Sequence, residues 1–315
     1  MSADTPLRCG FVAVIGSPNA GKSTLVNALV GEKVTIVTHK VQTTRFAVRG
    51  VAIDGPSQIV LVDTPGVFAP KRRLDKAMVN AAWAGVADAD AVIHVVDAGA
   101  RERMARGESK SGDSKMIEDD ERVTEGLRRS GGKAILALNK IDLLARDRLL
   151  AISQNLFETG CYGEVFMVSA KRGYGVDTLK THLSGLMPEG VWHYPQDQVA
   201  DLPSRILAAE ITREKVYLRL HEELPYASMV DTEVWKRLRD GSLRVEQSIV
   251  IERDSQKPIV IGKGGSALKS IGEASRKELE EVLGCKVHLF LNVKVDPKWM
   301  NRRGHYSDVG LDFDV

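Results

Sequence analysis

The stretch Phe11–Ser23, FVAVIGSPNAGKS, decides how the rest of the chain is read. Phe11–Ile15 is short, apolar and largely β-branched, the pattern of a buried strand. Gly16, Ser17, Pro18, Asn19, Ala20, Gly21, Lys22 and Ser23 then match G-x-x-x-x-G-K-[ST], and the segment Lys22–Val30 continues as a helix. Glycines at both ends of the loop let successive N–H groups turn toward one phosphate, and the helix N-terminus adds a partial positive charge. Lys22 can reach the β- and γ-phosphates. The Ser23 hydroxyl can ligate Mg²⁺, with Thr24 next in the same turn.

Outward from this loop, short apolar runs alternate with amphipathic segments. Ser57–Val62, Ala91–Val96, Lys133–Leu138 and Glu164–Val168 read as strands; Asp75–Val86, Asp147–Thr159 and Val176–Leu186 read as helices. This alternation implies a mostly parallel sheet covered on both faces, an α/β fold. Phe46–Ile53, separated from the next strand by Asp54-Gly55, reads as an antiparallel neighbour. Arg101–Arg122 is dense in charges of both signs and reads as a flexible surface loop.

The chain has 315 residues, 43% hydrophobic and 27% charged, which suits two folded domains and excludes a wholly disordered chain. No apolar run reaches the roughly 20 residues of a membrane-spanning helix. The first residues, MSADTPLRCG, do not read as a signal peptide. Three widely spaced cysteines (Cys9, Cys161 and Cys285) suggest a reducing compartment, with neither a disulfide framework nor a zinc site. Net charge is +2, so bulk charge names no partner. One local stretch, Lys263–Arg303, carries a basic excess.

Four further loops complete the phosphate and base chemistry. Asp63, Thr64, Pro65 and Gly66 end the third strand. A carboxylate there can hold Mg²⁺ through a water, and the Gly66 N–H can approach a γ-phosphate. Gln42-Thr43-Thr44-Arg45 lies where a switch segment is expected; one threonine would complete the Mg²⁺ shell, Thr44 being favoured over Thr43. Asn139-Lys140-Ile141-Asp142 follows a strand. A carboxylate at Asp142 can accept from guanine N1–H and the 2-amino group, which adenine lacks. Asn139 can tie loops together, and the Lys140 stem can cover the base. Ser169-Ala170-Lys171 follows the last strand of this half, where the Ala170 N–H can reach guanine O6.

These five loops, taken in chain order, resemble the Ras-like, translation-factor-related GTPases over about Phe11–Met187. The resemblance implies a GTP/GDP site with Mg²⁺ and a Ras-like P-loop GTPase domain. It assigns hydrolysis to Lys22, Thr44, Gly66 and Asn19. Val67 stands where Ras-like enzymes usually carry a water-positioning glutamine, and an apolar side chain cannot orient water. Hydrolysis must then rely on backbone groups, a cation or a partner; related GTPases with an asparagine at the place of Asn19 use it to hold K⁺, so the resemblance implies K⁺ as one route.

Beyond residue 203 the pattern changes to helix Arg205–Leu220, strands Ala227–Leu238 and Leu243–Glu252, a short helix Pro258–Ile261, helix Ser266–Leu283 and strand Cys285–Val295. Gly262, Lys263, Gly264 and Gly265 fit the G-x-x-G loop of KH domains, and the order of elements resembles the bacterial-type α+β KH domain. Lys263 and Lys269 are candidate RNA contacts, and in the following segment Lys298, Arg302 and Arg303 are candidates for phosphates and Trp299 for stacking.

A GTPase domain joined to a KH domain, with SPNAGKS, QTTR, DTPG, NKID, SAK, EITREKVYLRLHEELPY and IVIERDSQKPIVIGKGG, resembles the Era family of bacterial ribosome-assembly GTPases. That resemblance implies a GTPase domain over residues 1–190, a linker over 191–203, a KH domain over 204–297 and a tail over 298–315. It implies binding to the 3′ end of 16S ribosomal RNA and to the small ribosomal subunit. It also implies slow intrinsic turnover, a monomer, and a cytoplasmic location with peripheral association with the inner membrane.

Overall fold

The computed structural model describes residues 6–38, 40, 43–220 and 228–315. Gln42 of the switch segment and Ala227, the expected first residue of a strand, lie outside them. The chain separates into two compact units, residues 1–201 with 309–315, and residues 202–308.

The first unit is built on a seven-stranded sheet. In chain order its strands are β1 (Arg8–Ile15), β2 (Val48–Asp54), β3 (Ser57–Asp63), β4 (Ala91–Asp97), β5 (Ala134–Asn139), β6 (Tyr162–Met167) and β7 (Ala200–Asp201). In space they run β6-β5-β4-β1-β3-β2-β7. All pairs are parallel except β2 with β3 and β2 with β7. Helices α1 (Lys22–Val30), α2 (Arg73–Ala87), α3 (Ala98–Ala105), α4 (Asp113–Ser130), α5 (Arg146–Phe157) and α6 (Val176–Leu186) connect them. Two apolar layers form. One joins Val12, Val14, Leu61 and Ile93 to Leu25 of α1 and Leu183 of α6. The other joins Ile15, Val96 and Leu138 to Ala82 of α2, Leu127 of α4 and Ile152 of α5. Strands buried on both faces explain the continuous apolar runs.

Two expectations are corrected. The charged segment Arg101–Arg122 is not a loop: it is wound into α3 and the first half of α4, leaving residues 106–112 as the connection. Its charges fall at helical spacing and pair. Arg106 meets Glu102 at 2.7 Å, and Arg103 grips Asp113 through two bonds of 2.8 and 2.7 Å. The second correction concerns residues 191–203, which are not a free linker throughout. Gln58 is fully buried; its Oε1 accepts from the His193 and Tyr194 N–H groups, and its Nε2 donates to the Tyr194 carbonyl. The segment then adds β7 to the edge of β2.

In the second unit, α7 (Ser204–Arg219) precedes β8 (Ser228–Arg237), β9 (Leu243–Ile251), the short α8 (Lys257–Ile261), α9 (Ser266–Leu283) and β10 (Val287–Val295). The sheet runs β10-β9-β8, with β10 parallel and β8 antiparallel to β9. Ile249 and Ile251 pack with Val216, Val260, Ile271 and Val293 as its core.

Candidate nucleotide and RNA sites

Strand register places the loops together. β1 and β3 run level to Val14↔Asp63, and β4 and β5 end level at Asp97↔Asn139. The loops after β1, β3, β4, β5 and β6 therefore open at one edge of the sheet, where open parallel sheets bind ligands.

At the phosphate end, Lys22 is buried, and its Nζ donates to the carbonyls of Gly16 (3.1 Å) and Ser17 (2.9 Å). Burial pushes this ammonium down to about 8, with Asp63 opposing the shift. Ser23 Oγ lies 2.7 Å from Asp63 Oδ2 and 2.9 Å from Thr44 Oγ1, which is itself 3.3 Å from that oxygen. The predicted metal set, Ser23, Thr44 and Asp63, is thus one cluster. Thr43 instead faces Thr38 at 2.6 Å. Burial pushes the Asp63 carboxyl up, against hydrogen bonds from Ser23, Thr35 and Thr44 and the Lys22 charge.

The buried Asp63 Oδ1 and Ser17 Oγ have no protein partner. Two hydroxyls, a carboxylate and a phosphate loop suit a hard cation held jointly with phosphate oxygens. Among the described residues no group of three His, Cys, Asp or Glu could hold a metal without such help. Sequence reasoning missed Thr35, whose Oγ1 donates to Asp63 Oδ2 at 2.8 Å. Nothing in its immediate sequence marks it.

Gly66 lies against the phosphate loop: a Cβ there would sit 2.9 Å from the Pro18 ring. Val67 is buried, packs in the α2-side core and donates its N–H to the Gly16 carbonyl at 3.1 Å. Its side chain faces the core. Thr64, buried behind the loop, donates its hydroxyl to the Val14 carbonyl at 2.8 Å.

At the base end, Asn139 Nδ2 donates to the Ala20 carbonyl (2.9 Å), and its Oδ1 accepts from the Ala170 N–H (3.0 Å). One amide ties together three loops. Asp142 is exposed, and its Oδ1 accepts from buried Ser169. Lys140 Nζ donates to the Asn19 carbonyl at 2.9 Å and to Asp97 at 2.6 Å. Asp97 was not singled out from sequence, because a lone Asp ending a strand reads as a helix cap. Lys171 is exposed beside the same loop.

In the second unit, Gly262, Lys263, Gly264 and Gly265 join α8 to α9. Gly264 has φ 60 and nothing within 4 Å of where a Cβ would stand, and Lys263 is exposed. A groove runs from Gly265 past Leu268, Lys269, Gly272 and Arg276 to Leu291 of β10. Gly272 and Arg276, one and two turns further along α9, are additions to the sequence reading. Lys298 and Arg303 are exposed, and Arg302 pairs with Asp296 at 2.8 Å. Trp299 is corrected: it is 4% exposed, so its ring is packed rather than offered for stacking. Among the described residues no helix is long and apolar enough to cross a membrane.

Comparison with known proteins agrees with this division. Residues 11–140 match the family described as 50S ribosome-binding GTPase, and residues 223–300 match the KH domain family. The chain is 79% identical over 313 residues to GTPase Era of Maricaulis maris, covering 99% of this chain and all of that one. It is 59% identical over 308 residues to GTPase Era of Caulobacter vibrioides, covering 98% of each. Among solved structures it is similar to Era in complex with MgGDPNP and nucleotides 1506–1542 of 16S ribosomal RNA, with 36% identity and a TM-score of 0.85 over 96% of this chain and 99% of that one. An Aquifex aeolicus Era variant bound to GDP·AlF4⁻ matches at the same identity, TM-score and coverage.

Proposed function

Because the chain belongs to the Era family of GTPases, we propose that it is a guanine-nucleotide switch acting on small-subunit ribosomal RNA. GTP binding and hydrolysis in the first unit control the binding of the 16S rRNA 3′ end by the KH unit, in the service of small-subunit maturation. The observation that carries this reading is the Ser23–Thr44–Asp63 cluster, set beside a buried P-loop lysine.

GTP would lie between Lys22 at the phosphates and Asp142 at the guanine edge. Mg²⁺ would be held by Ser23, Thr44 and Asp63 and would neutralise charge developing between the β- and γ-phosphates. The chain's own part is to orient. Gly16–Ser23 cradle the phosphates, the Gly66 N–H approaches the terminal one, and Asn139 locks the phosphate loop to the base loop. The buried Val67 leaves water positioning to backbone groups and to a K⁺ ion at Asn19. RNA would enter over Gly262–Gly265 and Lys269, with Lys298, Arg302 and Arg303 as phosphate contacts. The reading extends to a cytoplasmic monomer with peripheral inner-membrane association, which sedimentation and cell fractionation test.

The deciding experiment is phosphate release under multiple turnover, in K⁺ and in Na⁺, with and without small subunits, alongside crosslinking and sequencing of the bound RNA. Slow turnover, faster in K⁺, with crosslinks at the 16S 3′ end is the expected result. Absent turnover in every condition would reduce the nucleotide site to a structural one.

A further inference from the structure

Among the described residues, two that are not glycine hold a left-handed backbone: Asn19 and Lys140, each at φ 65. Such conformations are unfavourable for side-chain-bearing residues and persist where surrounding contacts over-determine them. Here the two are bonded to each other, the Lys140 ammonium donating to the Asn19 carbonyl at 2.9 Å. The same ammonium donates at 2.6 Å to Oδ2 of Asp97.

Asp97 ends β4 and is 3% exposed. Its other oxygen, Oδ1, accepts from the Ala100 N–H at 3.1 Å and so caps α3. A carboxylate this buried needs a compensating charge, and Lys140 supplies it. A lysine stem is otherwise free to sample many rotamers. With its ammonium held at two points, the stem is confined to one path between the base loop and the phosphate loop.

We propose that Asp97 is a positioning residue of the nucleotide site. Its carboxylate sets the Lys140 side chain over the place of the base and, through it, fixes the turn at Asn19 before nucleotide arrives. The proposal rests on the guanine-nucleotide reading above. A stem covering the face of a base contributes affinity without reading the base edge, so Asp97 governs how long a nucleotide stays and leaves the choice of base to Asp142.

The alternative is that Asp97 merely caps α3. Asp97→Asn separates the two, since Asn caps as well as Asp but carries no charge for Lys140. Release of fluorescent GDP is measured for the parent, Asp97→Asn, Lys140→Met and the double variant, with thermal melting of each. Asp97→Asn is expected to speed release about three- to tenfold, the scale of replacing a charge-assisted bond by a neutral one. The double variant should release no faster than Lys140→Met alone, because both changes break one contact. GDP and GTP affinities should fall by the same factor, with the guanosine-to-xanthosine ratio unmoved. Release at the parent rate in Asp97→Asn, or additive effects in the double variant, would overturn the proposal while leaving the nucleotide site in place. Failure of the parent itself to prefer GDP over ADP would overturn both.

Discussion

The Ser169 hydroxyl donates to Asp142 Oδ1 at 2.6 Å, so the carboxylate at the base end of the site is held by the neighbouring loop. An asparagine at 142 keeps an oxygen for Ser169 and offers an N–H₂ to a 2-carbonyl. Asp142→Asn is expected to move the ratio of GTP to xanthosine triphosphate affinity by about 10³ toward xanthosine. Displacement of fluorescent GDP by each triphosphate measures it. An unchanged ratio would take Asp142 off the base edge.

Val67 packs in the core beside Ala82 and Val96. Removing two buried methyl groups is expected to lower stability by about 2 kcal/mol. Val67→Ala should change single-turnover hydrolysis little at temperatures where it stays folded. A fall of about 10³, the scale of losing a transition-state contact, would mean that the side chain reaches the attacking water.

Asp119 of α4 is buried, and that burial pushes its carboxyl up to about 6, against the charges of Lys115 and Arg122 and a hydrogen bond from the Ala69 backbone. In the unfolded chain an aspartate titrates near ~3.9. Between these values the folded protein keeps a proton that the unfolded chain has lost, so stability falls as pH rises through this window. Asp119→Asn should remove that fall and be more stable than the parent at pH 7 by about 1–3 kcal/mol. Denaturant midpoints across the window check it; parallel curves for the two proteins would contradict the assignment.

Gly264 has open space where a side chain would go, although its φ of 60 favours glycine. Aspartate tolerates that conformation better than most residues. Gly264→Asp is therefore expected to leave the fold intact and to weaken single-stranded RNA binding strongly, with intrinsic GTP hydrolysis retained. Lys263→Gln should weaken binding less and lower the salt slope by roughly one phosphate contact. RNA titrations across a salt series, beside turnover on the same preparations, test both. Parent-like RNA affinity in Gly264→Asp would move the RNA site elsewhere.

Much of this architecture was legible because it is local. Phe11–Ile15 followed by Gly16–Ser23 announces strand, turn and helix within a few residues, and Asn139, Asp142 and Ser169 sit at the ends of apolar runs. What escaped depends on distant partners. β7 is two residues long and exists because β2 offers Arg49 and Gly50 to pair with. Arg101–Arg122 looked solvated because its charges outnumber its apolar residues, yet two of those charged residues, Asp119 and Asp120, are themselves buried. Trp299 looked like a stacking platform because basic residues surround it in sequence; its packing partners do not announce themselves there. Thr35 and Asp97 carry no motif, and their roles appear only once β3 sets Asp63 beside one and β5 sets Lys140 beside the other.

The segment laid along β2 also guards the chain against itself. Without β7, the seven-residue β2 would be the last strand of the sheet, with a row of backbone donors and acceptors ready to template a foreign strand. β7 covers part of that row, the Val51 N–H bonds to the Val199 carbonyl at 2.8 Å, and Arg49 pairs with Asp201 at 3.3 Å. The replacement edge is short, charged and flanked by Pro195 and Pro203, neither of which can donate to a ladder. Loosening this segment would expose a sticky border and favour edge-to-edge aggregation at high protein concentration, with every nucleotide contact still in place.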